Sequence, residues 1–172
     1  MRLDFNNRLN KDQFLRWLDQ AGKWLFPSLD FIEDPFYYKS SDWKEVKEQF
    51  PVRLALDWGY QGQVEGVDVL VLKPSSQDIF KLIKEHPSVK IVVTHLMDHP
   101  VGQLRAIAEA QILFQSHPRQ FLTHQGLCGI YIYQPLSYFH RMKMNKDVIC
   151  PPQGVGLGVD DLLEQEPWQR LV

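Results

Sequence analysis

The stretch from Thr94 to Gly102 holds the densest group of side chains that could bind a metal ion. His95, Asp98 and His99 lie within it, directly after the apolar run from Val89 to Val93. Imidazole and carboxylate groups are metal ligands, and the carboxyl end of a buried strand is a usual place for a site in an α/β protein. If the protein is a metal-dependent hydrolase or nuclease, these three residues are the predicted metal ligands.

The same residues also fit the start of a helix. Pro100 suits the first helical position, and Asp98 or His99 before it can accept hydrogen bonds from free backbone N–H groups. A side chain committed to a helix end competes with a metal for the same atoms. We therefore expect less than one equivalent of bound metal and predict no cofactor.

A strand that runs into Thr94-His95-Leu-Met-Asp98-His99-Pro-Val-Gly102 resembles the metallo-β-lactamase signature T-H-x-H-x-D-H-x-G. The resemblance implies metal-dependent hydrolysis. The stretch is one residue short between His95 and Asp98, and Met97 stands where that family has a ligand.

A second group of residues, Asp57, Glu65, Asp68 and Lys73, spans two further apolar runs. Acidic residues and a lysine on neighbouring strands resemble the PD-(D/E)xK nucleases, which implies that Asp57, Asp68 and Lys73 would bind Mg²⁺ and hold the attacking water. Val71 stands at the position of the second carboxylate, so the motif is incomplete.

A third hypothesis is a small-molecule pocket at the carboxyl ends of parallel strands. Lys73 follows one apolar run, and Thr94 and His95 follow another. Ligands of open α/β sheets bind at this end of the strands. Lys73, Thr94 and His95 are therefore the candidate ligand-binding residues.

The elements that position these residues follow from residues 67–95. Two apolar runs, Val67 to Leu72 and Val89 to Val93, flank a segment with helical spacing of Ile79, Phe80, Leu82 and Ile83. Both faces of the first run are apolar, as in a parallel strand covered on both sides. The pattern predicts a strand–helix–strand unit and resembles a response-regulator receiver, without its phosphoacceptor aspartate.

The predicted fold is a single α/β domain spanning residues 1–172. A mixed sheet of four or five strands has a parallel centre, with 67–72 beside 89–94, and 52–58 pairs with 67–72 as an antiparallel hairpin. Helices are predicted at 11–26, 76–86 and 100–116. This domain includes the helical and aromatic segment 1–50, which has an irregular loop at 27–40. It also includes the C-terminal arm 145–172, in which Trp168 is predicted to dock.

Composition excludes some classes of protein. The net charge is −2, which argues against a long nucleic-acid groove, and no apolar stretch has the length of a membrane helix. The two cysteines, Cys128 and Cys150, form no CxxC pair and are predicted to be buried free thiols. We expect a cytoplasmic protein.

Because none of these motifs is complete, the sequence favours a non-enzymatic protein that acts by protein binding, as an assembly or regulatory factor with an unidentified protein partner. The alternatives are the metal-dependent hydrolase or nuclease and the small-molecule-binding domain. Whether the protein is an enzyme stays open at this point.

Overall fold

A computed structural model describes residues 1–97, 99–129, 137–146 and 148–170. Contacts between backbone positions group the chain into two compact units. The first comprises residues 1–72, 80–92 and 119–123, and the second comprises 73–79, 93–118 and 124–172. The prediction of one domain is not tested by this grouping.

The first unit is built on a five-stranded parallel sheet. Its strands, listed in chain order, are β1 (Arg2–Asp4), β2 (Phe31–Glu33), β3 (Leu54–Leu56), β4 (Val69–Leu72) and β5 (Lys90–Val93). The spatial order is the same as the chain order. In the wall of a (β/α) barrel, each strand lies beside the strand that precedes it in the chain. In a doubly wound sheet, by contrast, the strand order reverses at a switch point.

Helices connect most of these strands. They are α1 (Lys11–Leu25), followed by a 3₁₀ turn (Phe26–Ser28), α2 (Ser40–Gln49) and α3 (Ile79–Glu85). The start of α1 is fixed by a capping box, because the Gln13 N–H donates to the Asn10 side chain at 2.9 Å and the Asn10 N–H donates to the Gln13 side chain at 2.9 Å. Phe14 and Leu18 bury the inner face of this helix.

The strand–helix–strand unit is confirmed as β4, α3 and β5, and every residue of β4 is buried. The mixed sheet and the antiparallel hairpin are wrong. Ala55 of β3 pairs with Val69 of β4 in parallel register. A crossover between parallel strands needs about a dozen residues. The connection at 57–68 has about that length, so the chain can run from the end of β3 to the start of β4 without a helix.

Sequence reasoning missed β1 and β2, and it described 27–40 as an irregular aromatic loop. Both strands are three residues long, which is too short for an alternating pattern to be recognised. Phe31 and Ile32 are nevertheless buried at the centre of this segment.

The second unit contains α4 (Pro100–Ser116), α5 (Ser137–Arg141), the antiparallel pair β6 (Lys143–Asn145) and β7 (Val148–Cys150), and α6 (Asp160–Leu163). Its apolar cluster comprises Leu104, Tyr138, Phe139, Met142 and Val159. The predicted docking of Trp168 is wrong, since 71% of its surface is exposed. Its indole N–H donates to the Leu163 carbonyl instead, at 2.5 Å.

Within the described residues, no helix combines the length and apolar character needed to cross a membrane. The cysteines are free thiols, but Cys128 is exposed and Cys150 is half-buried, so the prediction that both are buried is wrong.

Candidate functional site

Acidic side chains end the first three strands of the sheet. Asp4 is the last residue of β1, Glu33 is the last residue of β2, and the two are directly paired across the sheet. Glu33 pairs in turn with Ala55 of β3, and Asp57 lies two residues after Ala55. Because side chains alternate along a strand, Asp4 and Glu33 share one face of the sheet, and the continuing chain places Asp57 on the same face.

Closer to the amino ends of the strands, the same face of the sheet is apolar. Phe31, Ala55, Val69, Val71 and Val92 form a buried cluster, with Leu122 packed against it. Glu33 comes two residues after Phe31, and Asp57 two residues after Ala55. The sheet therefore presents a packed apolar core that changes to carboxylates where the strands end, which is where active sites lie in barrels built from parallel strands.

Asp4 is oriented by a turn directly after β1. One of its carboxylate oxygens accepts a hydrogen bond from the Asn6 backbone N–H at 2.8 Å, and the other accepts from the Asn6 side-chain amide at 2.9 Å. Asn6 and Asn7 have φ values of 48° and 57°, a left-handed conformation that asparagine tolerates better than most residues. The local sequence thus folds back on Asp4 and fixes its carboxylate.

Asp34, next to Glu33, is completely buried. One carboxylate oxygen accepts from the Asp57 backbone N–H at 3.1 Å, and the other accepts from the Trp58 backbone N–H at 3.0 Å. Its own backbone N–H donates to the Ala55 carbonyl at 3.0 Å. Asp34 therefore joins the ends of β2 and β3.

Burial raises the pKa of the Asp34 carboxyl well above its ordinary value, to about 7. The backbone N–H groups of Trp58 and Asp57 lower this pKa, whereas the negative charges of Asp57 and Asp4 raise it. The negative charges of Asp57 and Asp4 act on the buried Asp34 carboxyl, and a cation at this edge of the sheet would offset them.

A cavity of about 470 Å³ opens among the loops that follow β1, β2 and β3. Tyr37 and Trp58, two exposed aromatic residues, and the cationic Lys39 contribute to its lining. Asn7 also lines the cavity, and its side-chain oxygen is buried without a hydrogen-bond partner among the residues that the structure describes. The cavity offers aromatic surface and the positive charge of Lys39.

The predicted metal ligands His95, Asp98 and His99 are described in part, since Asp98 lies outside the described residues. His95 is buried, and its Nδ1 accepts a hydrogen bond from the Met97 N–H at 3.0 Å. His99 caps α4, because its Nδ1 accepts from the Val101 N–H at 3.3 Å. Both rings thus use one nitrogen on the backbone, and the metal assignment stays a prediction.

The candidate ligand residues Lys73, Thr94 and His95 all belong to the second unit. The Lys73 backbone N–H donates to the Gln77 side chain at 2.7 Å, and the Thr94 hydroxyl donates to the Gly126 carbonyl at 2.8 Å. Lys73 and Thr94 come two residues after Val71 and Val92, the same spacing that relates Glu33 to Phe31. Their assignment as ligand-binding residues stays a prediction.

The nuclease-like group is not assembled as its motif requires. Asp68 precedes β4, pairs with Lys47 and accepts from the Leu54 N–H at 2.9 Å, so it serves the amino end of the strands. Asp57 lies beyond the carboxyl end of β3. Among the parts of the chain that the structure describes, no three histidine, cysteine, aspartate or glutamate side chains form a preformed metal site.

Two comparisons place this chain among known proteins, whereas no family model matches it. A crystal structure of an enolase from Pseudomonas fluorescens with bound magnesium, potassium and tartrate superposes with a TM-score of 0.52 at 14% identity. The match covers 63% of this chain and 28% of that one. The match supports an α/β fold in which helices flank a parallel sheet.

By sequence, this chain is similar to an o-succinylbenzoate synthase from Bdellovibrio bacteriovorus. It is 29% identical over 179 residues, which cover 99% of this chain and 53% of that protein. The chain thus spans about half the length of this curated relative.

The prediction of a non-enzymatic assembly or regulatory factor is wrong, because the relative matched by sequence over 99% of this chain is an enzyme. Sequence reasoning named Asp57 but missed Asp4, Glu33 and Asp34. The available signal was an acidic residue directly after Leu3 and another directly after the apolar pair Phe31-Ile32.

Proposed function

We propose that this chain carries active-site residues of a magnesium-dependent lyase of the enolase superfamily, with the activity of an o-succinylbenzoate synthase. The observation that carries the proposal is the line of acidic residues, Asp4, Glu33 and Asp57, that continues one apolar face of the sheet beyond the strand ends. The sequence match with an o-succinylbenzoate synthase supports the substrate class.

The residues present fit a magnesium ion by their chemistry. Magnesium prefers oxygen ligands and is held by one or two carboxylates together with water and substrate oxygens, so it does not need a cage of three converging side chains. Asp4, Glu33 and Asp57 supply carboxylates. Burial is the main cause of the raised pKa of Asp34, and the negative charges of Asp57 and Asp4 add to it, which favours a cation beside these carboxylates. When bound, magnesium would stabilise the negative charge that develops on a substrate carboxylate.

Lys73 is the residue that we propose as the general base. It follows the last residue of β4 directly, two positions after Val71 of the apolar cluster. Sites of the enolase superfamily use a lysine or histidine to remove a proton next to a carboxylate. Lys73 would take that proton, and the leaving group of the lyase reaction would depart from the neighbouring carbon.

Binding of the product tests this proposal. We expect o-succinylbenzoate to bind the purified chain in the presence of Mg²⁺ and much more weakly with EDTA, measured by isothermal titration calorimetry. Asp57→Asn should remove the magnesium dependence. The matched control Asp30→Asn removes a carboxylate just before β2, where Asp30 pairs with Arg2 and Arg53, and should keep it. Equal binding with Mg²⁺ and with EDTA would contradict the proposal.

We also propose a cytoplasmic location. Two free cysteines, one of them exposed, support a reducing compartment.

A further inference from the structure

We propose that Asp34 is a positioning residue, which holds the end of β3 so that Asp57 presents its carboxylate to the cation; this inference rests on the proposed function. Asp34 is completely buried, so its carboxylate reaches neither solvent nor substrate. It acts on the site only through the backbone that it binds.

Three hydrogen bonds carry the inference. The two carboxylate oxygens of Asp34 accept from the backbone N–H groups of Asp57 and Trp58, at 3.1 and 3.0 Å. The Asp34 backbone N–H donates to the Ala55 carbonyl at 3.0 Å. Asp57 is therefore held by its own N–H, by the N–H of Trp58 and by the carbonyl of Ala55, which fixes the direction in which its side chain leaves the backbone.

The same residue fixes the end of β1. The Asp34 carbonyl accepts from the Asn7 N–H at 2.7 Å, just beyond the turn that orients Asp4. Asp34 thus connects the chain segments that follow all three acidic strand ends. A single residue in this position, through its carboxylate toward Asp57 and its backbone carbonyl toward Asn7, can set the spacing of the carboxylates.

The backbone of Asp34 adds a second, independent observation. Its φ is +40°, a conformation that costs energy for a residue with a Cβ and persists only where the surroundings hold it in place. The Trp58 side chain is 56% exposed, so water could have satisfied a backbone N–H in this loop. A buried carboxylate on a strained residue accepts this hydrogen bond instead of water, which indicates that the position of the loop is important for the site.

The first test compares Mn²⁺ affinity, measured by electron paramagnetic resonance, for wild type and Asp34→Asn in the full chain. Asparagine keeps one acceptor oxygen but turns an NH₂ group toward the second N–H. We expect a loss of roughly 10- to 100-fold, as for other residues that orient metal ligands. Asp30→Asn, with the same change of charge at the other end of the strand, should stay within about twofold of wild type.

Amide hydrogen exchange separates positioning from general stability. Asp34→Asn should accelerate exchange at Asp57 and Trp58 while leaving Leu54 in the middle of the sheet unchanged. If the variant does not fold, the wild type still gives an answer, because its Trp58 amide should be protected despite the exposed side chain.

An unprotected Trp58 amide in wild type, or an unchanged Mn²⁺ affinity in a folded Asp34→Asn, would overturn the inference alone. A wild type that binds no Mn²⁺ would overturn the proposed function and this inference together.

Discussion

At the scale of single residues, the proposed site depends on alternation along the strands. Glu33 and Asp57 each lie on the face buried by an apolar residue two positions earlier, Phe31 and Ala55, and Asp4 shares this face because it pairs with Glu33. A carboxylate at such a position is held by a packed strand and is still reachable from the end of the sheet. Shifting it by one residue would turn it to the opposite face.

Lys73 provides the residue-scale prediction. If it is the base, Lys73→Ala should reduce the rate of o-succinylbenzoate formation by about 10²- to 10⁴-fold, the usual contribution of a general base. Its Mn²⁺ affinity should stay within about twofold of wild type, because the lysine is not a metal ligand.

The matched control is Lys81→Ala, which removes an exposed lysine on α3 and should leave the rate unchanged. A Lys73→Ala variant with the wild-type rate would remove Lys73 from the mechanism.

At the scale of elements, the sequence predicted what depends on a long pattern. The strand–helix–strand unit at 67–95 and the helix at 100–116 have enough residues for their periodicity to be visible, and the structure agrees with both. The capping pair Asn10 and Gln13 could also be recognised, because it is a local interaction. In contrast, β1 and β2 are short, and their strand character depends on pairing with each other rather than on their own sequence.

Val71 in β4 tests the buried parallel sheet. Its side chain is 3% exposed within the apolar cluster, so Val71→Asp should lower the free energy of unfolding by about 3 kcal/mol or more, since an uncompensated buried carboxylate is costly. Urea denaturation measures this directly.

Ile112→Asp is a control that also replaces a β-branched apolar side chain with a carboxylate, at a position that is 54% exposed on α4. It should cost no more than about 1 kcal/mol. Equal losses for the two variants would contradict the packing of β4 described above.

At the scale of the whole molecule, the class of protein could not be predicted because the candidate site has no local motif. In folds of this type, catalytic residues come from the ends of several strands, one from each. Asp4, Glu33 and Asp57 are separated by many residues along the chain, and only the register of the sheet relates them. The residues from His95 to His99 could be recognised as a candidate site because they are close together in the sequence. In the structure, His99 caps helix α4.

The prediction of a protein partner remains a prediction. Tyr37 and Trp58 are exposed aromatic residues of the kind that a protein partner could contact. In the structure these two residues line the cavity among the loops after β1, β2 and β3. A small molecule fits such a cavity as well as a protein side chain does.

The central claim is that the carboxylates at the strand ends hold one divalent cation, and a Mn²⁺ titration followed by electron paramagnetic resonance tests it most directly. We predict about one Mn²⁺ per wild-type chain and an affinity at least about tenfold weaker in both Glu33→Gln and Asp57→Asn, with Asp30→Asn unchanged. A wild-type chain that binds no Mn²⁺, or four chains with the same affinity, would contradict the claim.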